Sequence, residues 1–153
     1  MSRIGTFWSD AVTAPLVILS DFDFTISQVD VGDLLVETLS PPSPATLERI
    51  RAGQTGSREF WLDSMARVPV DEALALAGTV ALDPHFGAFA SWCEAQSIPL
   101  AVVSDGFGFY ISQILGRNGL GHLPVFCNEM AEPGRLEFPH ANPVCDLCAC
   151  CKA

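Results

Sequence analysis

One stretch dictates most of what this chain can fold into: Leu16-Val17-Ile18-Leu19-Ser20-Asp21-Phe22-Asp23-Phe24-Thr25-Ile26-Ser27. It opens as a short apolar run, the pattern of a strand buried on both faces. It then presents two carboxylates one residue apart, and a hydroxyl two residues later. Alternate side chains of an extended segment point the same way, so Asp21 and Asp23 converge on one small volume at the strand end. Two carboxylates that close repel each other unless a cation lies between them or one holds a proton. A bland reading also exists, in which a strand runs into an acidic turn and Thr25 caps a helix.

The rhythm of the remaining chain bears on the choice. Residues 1–14 are a mixed lead-in, with Phe7 and Trp8 expected over the edge of the core, and residues 15–20 are the first strand. Val31, Leu34, Leu35, Val36 and Leu39 then recur at helical spacing, until Pro41-Pro42-Ser43-Pro44 stops them. A short helix is expected over residues 46–51. Ser57 reads as the N-cap of a segment holding Phe60, Trp61, Met65 and Ala66. Asp71 and Glu72 open another helix with acids in its first turn, and Gly78 closes it. After Asp83-Pro84, Phe86, Phe89, Ala90 and Trp92 mark an amphipathic helix. Ile98-Pro99-Leu100-Ala101-Val102-Val103 is a second apolar strand, followed at once by Ser104-Asp105-Gly106. A helix is expected over residues 109–120 and a third strand over 123–128. Residues 132–135 read as a turn and the rest as loop. Apolar strands alternating with helices predict an α/β fold with a parallel, Rossmann-like sheet. Ligands on such sheets bind beyond the carboxyl ends of the strands, where Asp21 and Ser104 both fall.

Composition narrows the partners. Of the 153 residues, 49% are hydrophobic and 17% charged, which is globular rather than disordered, and the length suits one domain. The net charge is −10 and no Lys/Arg cluster exists, so neither nucleic acid nor an anionic membrane is an expected partner. An acidic protein that handles a phosphate needs a metal ion or a few local cations. No apolar stretch approaches the roughly 20 residues of a membrane span. Arg3, Asp10 and Pro15 make the start a poor signal peptide. Cys145, Cys148, Cys150 and Cys151 crowd together near the end, apart from Cys93 and Cys127. That is not the dispersed spacing of a disulfide framework, and it predicts a reducing, cytoplasmic compartment.

Asp21, Asp23 and Thr25 closely resemble the first motif of the haloacid dehalogenase superfamily of phosphohydrolases, D-x-D-x-T at the end of the first strand. Val102-Val103-Ser104-Asp105-Gly106 resembles its second motif, a Ser or Thr at the end of the second strand. Taken alone, Ser-Asp-Gly is also an ordinary turn. Residues 142–152, ending Cys150-Cys151-Lys152, look like the cysteine-rich loop and lysine of the phosphoserine phosphatase-like branch. That branch includes phosphoethanolamine/phosphocholine phosphatases and 2-hydroxy-3-keto-5-methylthiopentenyl-1-phosphate phosphatases. Lys152 also reads as a solvated terminal lysine. The resemblance implies a hydrolase acting on a small phosphorylated metabolite. Asp21 is then the nucleophile and Asp23 the general acid and base. Thr25, Ser104, Asp105, Gly106 and Lys152 hold the phosphoryl group. Mg2+ is the implied cofactor, with Asp21 and, through its main-chain carbonyl, Asp23 as ligands. Residues 1–27 and 83–153 would form the core, and residues 28–82 a helical cap inserted after the first strand.

One departure from the family is expected to matter. Its fourth motif, an acidic pair supplying further metal ligands, has no counterpart after Lys152, nor do the strands that would flank the first strand. The sequence is therefore expected to be a truncated member of impaired activity, with residues 16–20 an exposed apolar edge. Two alternatives stand beside the phosphatase. One is a non-catalytic phosphate-binding protein that keeps the fold. The other is a zinc-binding module built on the terminal cysteines. Arg49, Arg51, Arg58 and Arg67 are candidates for holding an acidic substrate, though solvated helix faces explain them equally well.

Overall fold

A computed structural model describes residues 16–141. Four strands form one sheet in chain order: β1 (Ile18–Ser20), β2 (Leu100–Phe107), β3 (Val125–Glu132) and β4 (Arg135–Glu137). The first three are parallel and β4 is antiparallel to β3. The parallel part matches the Rossmann-like expectation. The β3–β4 hairpin was not legible, because the expected turn at residues 132–135 sits inside it. There Gly134, at φ 84°, adopts the left-handed backbone that turn requires.

Between β1 and β2 lie five helices: α1 (Val31–Leu39), α2 (Pro44–Arg51), α3 (Ser57–Asp63), α4 (Val70–Ala77) and α5 (Phe86–Ala95). A single 3₁₀ turn, Met65–Arg67, follows α3, and α6 (Gly108–Arg117) links β2 to β3. Local chemistry sets their ends. Asp30 caps α1 by accepting from the Asp33 amide, and Ser43 caps α2 with Pro44 in its first turn. The N-cap of α3 is Gly56 rather than Ser57, whose place is the first helical residue. Asn118 caps the end of α6, and Gly119 follows it at φ 74°, so the helix stops short of the expected residue 120.

One continuous apolar core joins these elements. It runs from Val31, Leu35 and Val36 of α1 through Trp61 and Met65 to Phe107, Tyr110, Ile111 and Ile114. Arg117 ties the end of α6 to the segment after α4 by donating to the carbonyls of Gly78 and Val80.

Two strand expectations need correction. The apolar run before Asp21 is not buried on both faces. It pairs with β2 alone among the described residues, and Leu16, Val17 and Leu19 are exposed, Leu19 to 63%. An edge strand has a neighbour on one side only, so apolar content did not predict burial there. Its exposure as an apolar edge does agree with the sequence reading. The second correction concerns β2. It does not stop at Val103 but continues through Ser104, Asp105 and Gly106 to Phe107. Its ladder with β3 is interrupted between Val103 and Phe107, so residues 104–106 bulge from it.

Candidate active site

The acid pair is set by a turn folded around one carbonyl. The Phe22 oxygen accepts from the amides of Thr25, Ile26 and Ser27, at 3.2, 2.8 and 2.9 Å, and from the Ser27 hydroxyl at 3.1 Å. Phe22 and Ile26 are fully buried beneath it. Leaving the turn, the chain is fastened to the segment before α5: Gln28 N donates to Ala81 O and Asp83 N to Ile26 O. Phe24, between Asp23 and Thr25, sits in the left-handed region at φ 54° and exposes 74% of its surface.

This turn gives its two acids different surroundings. Asp21 is exposed, and its Oδ1 accepts from the Phe22 amide at 2.9 Å. Asp23 is half-buried, and its Oδ1 accepts from the Val31 amide at 2.8 Å, at the start of α1. Burial pushes the Asp23 carboxyl up from 3.8 to about 7. The charges of Asp30, Asp105 and Asp21 push the same way, and the Val31 amide only partly opposes them. One acid of the pair is thus poised near neutrality beside an exposed partner. Asp33 is also raised, by burial first and then by Asp30, Glu37 and Asp105.

The parallel pairing of β1 with β2 sets Ser20 beside Val102, which brings the ends of the two strands together. Ser104 is fully buried, and its Oγ accepts from the Gly106 amide at 3.0 Å. The Asp105 carbonyl accepts from Asn128 Nδ2 at 2.5 Å. A cleft of about 350 Å³ opens against this segment, lined by Asp30, Asp33, Ile50, Phe60, Trp61 and Asp105. None of the four arginines lines it. Arg49 pairs with Glu59, Arg67 with Asp63, and Arg58 lies 5.1 Å above the Phe138 ring.

Of the residues singled out from sequence, Asp21, Asp23 and Thr25 share the turn after β1. Ser104, Asp105 and Gly106 share the β2 bulge beside it. Thr25 is exposed. Lys152 and the cysteines Cys145, Cys148, Cys150 and Cys151 lie outside the described residues, as do Phe7 and Trp8. Three neighbours of the site were missed. Asp30 carried a signal, as an acid directly before a helical apolar run. Asn128 ends the strand expected over residues 123–128, as Ser104 follows the one expected before it, though both lie within the observed strands. Tyr110, the single tyrosine, is hidden among apolar residues of α6.

Comparisons with known proteins converge. The sequence profile of the haloacid dehalogenase-like hydrolases matches residues 18–145. The 2-hydroxy-3-keto-5-methylthiopentenyl-1-phosphate phosphatase of Brevibacillus brevis is 29% identical over 120 residues, 74% of this chain and 53% of that protein. The enzyme of the same name from Geobacillus kaustophilus is 30% identical, covering 92% of this chain and 68% of its own length. A phosphoserine phosphatase, solved as a phospho-aspartyl intermediate analogue, shares the fold. Its TM-score is 0.61 at 16% identity, over 80% of this chain and 63% of that one. The chain thus spans about half the length of the first of these relatives.

Proposed function

We propose that this chain, which belongs to the haloacid dehalogenase-like hydrolases, carries the reacting half of a magnesium-dependent phosphatase for a small phosphorylated metabolite. The observation that carries the reading is the divided acid pair. Asp21 is exposed, while Asp23 holds its proton up to about neutrality. A carboxylate needs no base to act as a nucleophile, and a carboxyl near 7 is matched to giving up and retaking a proton.

In this reading an Asp21 oxygen attacks phosphorus as the bond to the leaving oxygen breaks. Asp23 donates its proton to that oxygen. The ionised Asp23 then takes a proton from water, which attacks the aspartyl-phosphate, breaks the bond to Asp21 and releases inorganic phosphate. Ser104 keeps its hydroxyl proton for a phosphoryl oxygen, because its Oγ already accepts from Gly106. Thr25, the backbone at Asp105 and Gly106, and Lys152 are assigned to the remaining oxygens. Residues 28–82 act as a cap, with the acidic and aromatic cleft between them and Asp105 taking the rest of the substrate.

Magnesium fits this donor set. Among the described residues no three His, Cys, Asp or Glu side chains converge as a metal-holding group. Magnesium asks for less, since it takes one or two carboxylates, several waters and the substrate phosphate. Asp21 and the Asp23 carbonyl would hold it, and when bound it offsets the charge of the phosphoryl group among these acids. No helix of the described residues is long and apolar enough to cross a membrane. With a net charge of −10, we place the protein in the cytoplasm, without nucleic-acid or membrane partners. The buried thiol of Cys93 suits a reducing compartment.

Hydrolysis of p-nitrophenyl phosphate with and without magnesium tests the proposal. Turnover that needs magnesium and falls at least about a thousandfold in Asp21→Asn is expected. Phosphate or beryllofluoride binding that needs Asp21, without turnover, supports the non-catalytic alternative. Turnover that survives in Asp21→Asn refutes the assignment.

A further inference from the structure

The Ser104 hydroxyl and the Gly106 amide are both assigned to a phosphoryl group, yet in this structure they are bonded to each other. Ser104 is also fully covered. Something must take the place of the amide on Ser104 Oγ if Gly106 N is to face a ligand. Among the described residues, Tyr110 is suited to that. Tyr110, on the first turns of α6, is fully buried, and its hydroxyl has no hydrogen-bond partner among the described residues. The nearby Phe107 backbone makes no bond of good geometry with it. A buried hydroxyl without a partner costs about 1–3 kcal/mol, so its presence asks for a reason.

The position of that hydroxyl supplies one. A methyl group added to Gly106 would collide with it and stand 3.1 Å from Ser104 Oγ, so both oxygens press on the same side of Gly106. A methyl group on Gly32 of α1 would come within 3.3 Å of the same hydroxyl. Tyr110 therefore ends where the bulge of β2 meets the start of α1. The other side of the bulge is already fastened, through Asn128 to the Asp105 carbonyl. On the Gly106 side the amide is spent on a bond within the bulge, to Ser104 Oγ.

We propose that Tyr110 is a positioning residue of this site. Its hydroxyl replaces the Gly106 amide as the donor to Ser104 Oγ when a phosphoryl group binds, which turns that amide toward the ligand. The exchange keeps the number of hydrogen bonds on Ser104 constant and gives the tyrosine the partner it lacks. It rests on the reading that Ser104 and Gly106 hold the phosphoryl group.

The test compares wild type, Tyr110→Phe, Ser104→Ala and the double variant. It measures p-nitrophenyl phosphate hydrolysis, calorimetric binding of inorganic phosphate, and urea denaturation. Tyr110→Phe is expected to lose about tenfold in kcat/KM, mostly in kcat, and to bind phosphate several-fold more weakly. Its stability is expected to equal or exceed that of wild type, since an unpartnered hydroxyl has been removed. In the Ser104→Ala background the same change is expected to do nothing further, because the acceptor is gone. Catalysis and phosphate affinity within twofold of wild type in Tyr110→Phe overturn the inference, as do additive losses in the double variant. A wild type with neither Asp21-dependent turnover nor phosphate binding overturns the phosphatase reading, and this inference with it.

Discussion

Replacing Asp23 with asparagine is expected to make the protein more stable while removing its turnover. The magnitude comes from the carboxyl's two environments. In the unfolded chain it titrates near 3.8, and in the folded protein at about 7. Between those values the folded state keeps a proton that the unfolded chain has lost, so stability falls as pH rises. The contribution is fully present below about pH 4 and gone above about pH 7. That interval corresponds to about 4 kcal/mol at 1.36 kcal/mol per pH unit. Because Asp23 is only half-buried, water screens part of this, and about 2–4 kcal/mol is the expectation. Asparagine keeps an oxygen for the Val31 amide, now 2.8 Å from Asp23 Oδ1, and cannot ionise. The assay is urea denaturation of both proteins in chelator, at several pH values from about 4 to 8. The difference between variant and wild type is the quantity to read. It cancels Asp33, raised in the same sense, and Asp63, which its bonds to Ser43 and Thr46 lower. The difference should grow steadily through the interval and level off at both ends. A flat difference, or an asparagine variant less stable than wild type near pH 8, refutes the account of Asp23 as a buried, charge-crowded acid.

Two further perturbations probe the same strand and turn. Phe24→Gly should gain about 1 kcal/mol in denaturation, because glycine adopts the φ 54° found there without the clash a side chain suffers; a loss would mean the ring contributes packing that its exposure does not suggest. Leu19→Lys, at a position 63% exposed on the edge of β1 that is unpaired among the described residues, should reduce self-association in light scattering at rising protein concentration. Its denaturation midpoint should hardly move, since no buried contact is lost.

The alternation of elements and the end of β1 were legible in the sequence, whereas β2 runs on past Ser104 to Phe107. Apolar runs and helical spacing located β1, β2, β3 and the six α-helices to within a few residues, and the Asp-x-Asp spacing located the acid pair. The missed features depend on tertiary context. Whether Leu19 is buried turns on whether another element lies over β1, which its own side chain does not encode. The bulge at residues 104–106 arises because β2 loses register with β3, and nothing within Ser-Asp-Gly distinguishes that from a simple turn. The raised pKa of Asp23 comes first from burial and then from the charges of Asp30 and Asp105, which are distant in sequence from one another and meet only in the fold. Tyr110 reads as any aromatic on an apolar helix face; only the fold leaves its hydroxyl without a partner.

The site keeps its geometry on a very short strand. β1 is three residues long and is paired on one side among the described residues. Such a strand alone would hold Asp21 and Asp23 poorly. The restraint comes instead from the turn after it and the elements that turn touches. Four donors converge on the Phe22 carbonyl, two fully buried side chains sit under the turn, and the first amide of α1 holds Asp23. None of these contacts involves the exposed residues of β1. The relative placement of the two acids is therefore fixed by the turn, α1 and the segment before α5. Whatever covers or fails to cover β1 affects solubility and overall stability before it affects the acid pair. A loss of turnover from changes at the β1 edge should accordingly track unfolding, whereas changes at Phe22, Ile26 or Ser27 should separate the acids while most of the fold persists.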